Sequence, residues 1–130
     1  MTNKLDALKL IDTAAIDMQV AGVLLDAHDF DDLASIKIRK ALEMSLLSLV
    51  VFHGIEIPKS RSLKKIYHLI EEYMPLDEED IQLLLEANER YSIHEDRFNE
   101  NYEVDKEHLE QIIILEEYIS TRAEKIIMQA

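Results

Sequence analysis

At the centre of the sequence, residues 33–54 read LASIKIRKALEMSLLSLVVFHG. Apolar residues recur here mostly at spacings of three and four, which is the spacing of one face of an α-helix. One stripe comprises Leu33, Ile36, Ala41, Met44, Leu47 and Val51, and a second set comprises Leu42, Leu46, Leu49, Val50 and Phe52. A helix that is apolar on nearly all sides is buried on nearly all sides. The stretch therefore predicts a central helix over about 32–53 that ends at Gly54.

Helical spacing continues on both sides of this stretch. The first predicted helix, of about 22 residues, has a stripe made of Leu5, Leu8, Ile11, Ala15, Met18, Ala21 and Leu25. Gly22 lies inside it and suggests close packing between helices. Three more helices are predicted over about 62–73, 77–90 and 105–128. We expect an all-α, up-and-down bundle of four to five helices that forms a single domain over residues 1–130.

The last predicted helix has two apolar strips. One is formed by Leu109, Ile112, Ile113, Ile119, Ala123, Ile126 and Ile127, and the other by Ile114, Leu115 and Tyr118. Such a helix needs two neighbours, or one neighbour and a second subunit.

The composition excludes several classes of protein. No cysteine is present, which excludes disulfides, thiolate metal sites and a cysteine nucleophile. The sequence has only two glycines, which is too few for a glycine-rich phosphate-binding loop. None of the five histidines follows a glutamate by three residues, so the di-iron motif of helical bundles is absent, and we expect neither a metal nor a cofactor. The longest nearly uncharged stretch, 44–54, is too short to span a bilayer, and with no signal peptide visible we expect a cytoplasmic protein without membrane contact.

Charge is distributed unevenly along the chain. The formal net charge is −13, which disfavours binding to DNA. Between Lys37 and Lys65, however, seven basic residues stand against two acidic ones. We call Lys59, Arg61, Lys64 and Lys65 the cationic patch; it is either a solvated surface or a surface for an anionic ligand or a partner.

One cluster in the sequence has residue types that are suited to catalysis. It consists of Arg90, Tyr91 and His94. They lie where the fourth predicted helix gives way to a polar segment over 91–104. Arginine binds phosphate through two hydrogen bonds, and histidine exchanges a proton near neutral pH, so Arg90 and His94 are candidate catalytic residues for RNA cleavage. Alternatively, Arg90 caps helix carbonyls, Tyr91 packs its ring and His94 is solvated.

Several of these segments resemble the HEPN domain family. The resemblance rests on residues 33–54, on the loop Ile55-Glu56-Ile57-Pro58-Lys59, on residues 62–73 and on Ala87-Asn88-Glu89-Arg90-Tyr91. It implies a helical bundle, a homodimer, and a role beside a minimal nucleotidyltransferase in a toxin–antitoxin type of system. The ribonuclease branch of the family places four to six residues between its arginine and histidine, whereas three separate Arg90 from His94, and Ser92 stands where close relatives have proline.

Three functions follow as hypotheses. The first is a module that binds a nucleotide or a partner protein, with Arg90, Tyr91 and the cationic patch as ligand-binding residues. The second is a metal-independent ribonuclease toxin that uses Arg90 and His94. The third is a structural helical bundle without a ligand.

Overall fold

The computed structural model describes residues 2–27, 29–91 and 104–129, and these contain five helices and no strand. The helices are α1 (Thr2–Asp26), α2 (Asp31–Phe52), α3 (Leu63–Ile70), α4 (Glu78–Arg90) and α5 (Lys106–Met128). The expected all-α bundle of four to five helices is confirmed.

Local chemistry explains where most helices begin and end. The side chains of Ser62, Asp77 and Asp105 accept hydrogen bonds from backbone N–H groups in the first turns of α3, α4 and α5. These N–H groups have no partner within the helix, so a side-chain acceptor stabilises each start. Gly54 adopts a φ of 70° just after α2, a left-handed conformation that glycine takes without strain. The N-cap residue of α2 is Phe30, whose side chain makes no capping hydrogen bond. The nearby aspartates Asp31 and Asp32 lie in the first turn of the helix instead.

Contacts along α2 give the direction of its neighbours. α1 is antiparallel to α2, because Asn3 at the start of α1 lies beside Gly54 at the end of α2. α3 runs in the same direction as α2: Arg39 contacts Arg61 before α3, and His53 stacks on Tyr73 after it. The segment 54–62 therefore returns along α2 before α3 begins, so the connection from α2 to α3 departs from simple up-and-down alternation.

The last three helices alternate in direction. Leu63 at the start of α3 contacts Asn88 at the end of α4. Glu86 in α4 contacts His108 near the start of α5. α4 is therefore antiparallel to both α3 and α5, and it lies between them.

The core includes side chains from all five helices. In α2 the fully buried apolar residues are Ala34, Ile38, Ala41, Leu42, Leu46, Leu49 and Val50. The second set of apolar residues is thus the more buried one, and Leu33 of the first stripe is exposed. The sequence did not rank the two sets, because periodicity does not show which side of a helix faces the larger neighbour.

The stripe predicted for α1 is displaced around the helix. Ala7, Ile11, Ala14 and Ala21 are buried, and most of them are small, which lets α1 approach α2 closely. Leu5 and Ala15 were predicted to face inward but are exposed. Gly22 does not mediate close packing, because a Cβ added there would meet no atom within 4 Å.

Apolar side chains remain at the surface of α1 and α5. They include Leu5, Ile16 and Val23 on α1 and Ile114 and Tyr118 on α5. Within the described part of the chain, none of the helices combines the length and the apolar character that crossing a membrane requires.

Candidate functional site

The residues predicted to bind a ligand cluster at one end of the α3–α4 pair. Lys59 and Arg61 precede α3, and Lys64 and Lys65 lie in its first turn; all four are exposed. Arg90 is exposed at the end of α4. His94, the second candidate catalytic residue, lies outside the described residues.

Asn88 joins these two helix ends. Its side-chain oxygen accepts a hydrogen bond of 2.9 Å from the backbone N–H of Leu63 and one of 3.2 Å from Nη2 of Arg39. The same Nη2 donates to the backbone oxygen of Arg61 at 2.7 Å. The start of α3, the end of α4 and the middle of α2 are therefore held together, and Arg61, Lys64 and Arg90 share one end of the α3–α4 pair.

Arg39 belongs to the core and not to the cationic surface. It is 8% exposed, and its Nη1 forms an ion pair of 3.0 Å with Glu43, one turn further along α2. A buried guanidinium needs such partners because burial without them is costly. The cationic surface around residues 37–65 is thus smaller by one residue than the sequence suggested.

A cleft of about 520 Å³ lies between α3 and α4, beside the cationic patch. Its apolar side is formed by Ile81, Leu84 and Leu85 of α4. Its polar rim is formed by Ser62, Lys64, Lys65, His68 and Glu71. Clefts of this size and chemistry accommodate small ligands, so this α3–α4 cleft is the candidate site.

Tyr67 shapes the far side of the α3–α4 cleft. Its hydroxyl accepts a hydrogen bond of 2.8 Å from the backbone N–H of Leu76 and donates one of 3.2 Å to the backbone oxygen of Met74. Burial raises the pKa of this hydroxyl, so it stays protonated. Tyr67 therefore fixes the chain that connects α3 to α4.

Tyr91 lies inside the bundle instead of at the ligand cleft. It is 2% exposed, and its hydroxyl is 2.7 Å from Nδ1 of His108. Nε2 of His108 is 3.2 Å from a carboxylate oxygen of Glu86. Because a carboxylate only accepts, Nε2 donates to Glu86, and in the neutral imidazole Nδ1 then accepts from Tyr91. The three side chains connect α4 to α5, and sequence reasoning found only the tyrosine.

A buried carboxyl group lies at the contact between α2 and α5. Glu116 is 2% exposed and accepts a hydrogen bond of 3.3 Å from the hydroxyl of Ser45. Burial raises its pKa to about 7, although the bond from Ser45 opposes this shift. Glu116 follows Ile112 by four residues and precedes Ile119 by three, so its place on the apolar stripe was a usable signal.

In the described ranges, no group of three or more histidine, aspartate or glutamate side chains is arranged to hold a metal ion. Comparison of the chain with known protein families, with curated proteins and with solved structures finds no significant match. The resemblance to HEPN domains therefore stays a prediction based on the quoted segments.

Proposed function

We propose that this protein is a HEPN-like binding module that takes a nucleotide in the α3–α4 cleft. The observation that supports this most directly is that one cleft combines an apolar wall from α4 with Lys64 and Lys65 on its rim. A nucleotide has both features, a planar base that favours apolar contact and phosphates that favour cations.

The wall and the rim suit different parts of the ligand. Ile81 and Leu85 of α4 are partly exposed and provide the surface for the base. Lys64 and Lys65 provide ammonium groups that bind phosphate as point charges. Arg61 and Arg90, at the same end of the helix pair, extend the positive surface for further phosphates.

Calorimetric titration with ATP tests the proposal. We expect the wild type to bind ATP, and the double variant Lys64→Gln/Lys65→Gln to bind at least about tenfold more weakly because both phosphate contacts are lost. Lys9→Gln/Lys125→Gln is the matched control, since both lysines are exposed and lie away from the α3–α4 cleft. Equal binding by all three proteins would contradict the proposal.

Inorganic triphosphate separates the two parts of the cleft. We expect it to bind more weakly than ATP to the wild type, because it cannot use the apolar wall. Leu85→Asn should weaken ATP binding and leave triphosphate binding unchanged. The same affinity for ATP and triphosphate would argue for a simple anion site without base recognition.

The ribonuclease hypothesis is tested by incubating the purified protein with RNA. Cleavage by the wild type that Arg90→Ala abolishes would favour the ribonuclease over the binding module. The resemblance also suggests a homodimer and a nucleotidyltransferase partner, and the sequence suggests a cytoplasmic setting for this module. Light scattering at micromolar concentration measures the oligomeric state, and a monomer there would count against the dimer.

A further inference from the structure

A second concave surface, the α4–α5 groove, lies on another side of α4. It has a volume of about 830 Å³. Its apolar floor consists of Leu83, Ile114, Leu115 and Tyr118. Ile114 is 67% exposed and Tyr118 is 42% exposed, so large apolar side chains face solvent along this floor. The second apolar strip predicted for the last helix forms part of this floor.

The rim of the α4–α5 groove is acidic. It includes Glu78, Glu79, Asp80 and Glu86. Among the described residues, Glu86 alone of these four has a salt-bridge partner, His108. Burial raises the pKa of Asp80, and the nearby carboxylates of Asp77 and Glu79 raise it further.

The helix dipole of α4 accounts for only part of this charge. Acidic residues in a first turn are stabilised by the positive end of a helix, which explains Glu78, Glu79 and Asp80. Glu86 lies two turns further on, and Glu110 and Glu117 flank Ile114 on α5 and are exposed. The negative charge thus follows the length of the apolar floor.

Tyr118 already contacts one cation of this chain. The guanidinium carbon of Arg122 lies 5.8 Å from the centre of the Tyr118 ring, on the same helix. A cation over an aromatic face gains electrostatic energy from the ring. The floor of the groove is therefore compatible with basic side chains as well as with apolar ones.

The chain itself is a poor source of a segment to cover the groove. Residues 92–103 contain four acidic residues and one arginine, so their charge has the same sign as the rim. A second copy presents the same acidic rim, so two α4–α5 grooves packed face to face would bring like charges together. Complementary charge points to a basic partner.

We propose that the α4–α5 groove binds a cationic amphipathic segment of a partner protein. Apolar residues of the segment cover Ile114 and Tyr118, and its lysines or arginines pair with the carboxylates of the rim. In this mode of recognition the segment forms an amphipathic helix that lies in the groove. Its apolar side chains recur at helical spacing and contact the floor of the groove. The site is separate from the α3–α4 cleft, so it does not depend on nucleotide binding.

Fluorescence anisotropy with a synthetic helical peptide of leucine and lysine, labelled at one end, tests the proposal. We expect the wild type to bind this peptide and not a peptide with glutamate in place of lysine. Ile114→Ser should weaken binding about tenfold because an apolar anchor is lost. Glu78→Gln/Glu79→Gln should weaken binding and also reduce its sensitivity to salt.

Two matched controls on α1 distinguish the groove from general attraction to an acidic protein. Ile16→Ser removes an apolar side chain of similar exposure, 59% against 67% for Ile114, and Asp6→Asn/Asp12→Asn removes the same charge from exposed positions. We expect both to bind as the wild type does. Equal weakening by control and groove variants, no binding by the wild type, or self-association that Ile114→Ser abolishes would overturn the proposal.

Discussion

The side-chain oxygen of Asn88 lies 2.9 Å from the backbone nitrogen of Leu63 and thereby fixes the end of α4 against the start of α3. Nη2 of Arg39 approaches the same oxygen to 3.2 Å. One amide group thus joins three helices at the end of the α3–α4 pair where the cationic patch lies. The shape of the α3–α4 cleft depends on this contact.

Replacing Asn88 by alanine should destabilise the protein. The N–H of Leu63 and one donor of Arg39 would lose their partner, and an unsatisfied buried donor costs about 1–3 kcal/mol. Asn88→Asp keeps the acceptor and should retain most of the stability. Urea unfolding measures both variants, with Gln82→Ala, exposed on the same helix, as the control. An alanine variant as stable as the control would contradict this role.

Glu116 should make stability decrease as the pH rises from about 4.5 to about 7. The pKa of its carboxyl is about 7 in the folded protein, above its ordinary value of 4.5. In this interval the unfolded chain loses the proton while the folded protein keeps it, so the folded state binds more protons and loses stability as pH rises. The loss reaches about 3 kcal/mol above pH 7.

Glu116→Gln tests this pH dependence. Glutamine keeps an acceptor for Ser45 and has no charge to bury, so the variant should be more stable than the wild type at pH 8 and similar to it at about pH 4, below the ordinary pKa of the carboxyl. Denaturant unfolding across this range gives the difference between the two proteins. Glu110→Gln, exposed on the same helix, should leave the wild-type profile unchanged. Parallel profiles for the wild type and Glu116→Gln would refute the assignment.

Removing the hydroxyl of Tyr91 should weaken the contact between α4 and α5. Tyr91→Phe eliminates the 2.7 Å hydrogen bond to His108 at a cost of about 1 kcal/mol. The nitrogen chemical shifts of the His108 imidazole should change as well, because Nδ1 loses its donor. Tyr118→Phe is the control, since that residue is 42% exposed. Unchanged shifts would mean that the bond is not formed in solution.

Gly22→Ala should stabilise the protein by about 1 kcal/mol. Glycine in the interior of a helix has a high conformational entropy in the unfolded chain, and open space surrounds the site of the new methyl group. Thermal unfolding measures the gain. A destabilised variant would show that Gly22 contacts something outside this chain, as a glycine at an interface does.

Much of the fold could be predicted from local sequence. Asp77, Asp105 and Gly54 mark helix boundaries through capping and backbone conformation, and both effects act within a few residues. The direction of α3 relative to α2 could not be predicted, because apolar periodicity identifies a helix but not the route of the chain between two helices. The contact of Arg39 with Arg61, 22 residues away, determines that route.

The candidate site was predictable only in part. The cationic patch follows from charge counting, and the structure places its residues at one helix end. The hydrogen bonds that Asn88 forms with Arg39 and Leu63 were missed, because nothing in the sequence shows that a charged residue such as Arg39 is buried. His108 was missed as the partner of Tyr91 because the two are far apart in the chain and meet only when α4 packs on α5.

The return of segment 54–62 along α2 has a consequence for partial unfolding. α1 packs on α2 and α5, and these three helices form one group. α3 contacts this group through α2, and α4 contacts it through α5. The hydrogen bond from Arg39 to the backbone oxygen of Arg61 adds a further attachment. Amide hydrogens in the α3–α4 hairpin should therefore exchange with solvent before those in the middle of α2, which contacts α1, α3 and α5. A ligand that bridges the two helices of the hairpin would slow that exchange without touching α1.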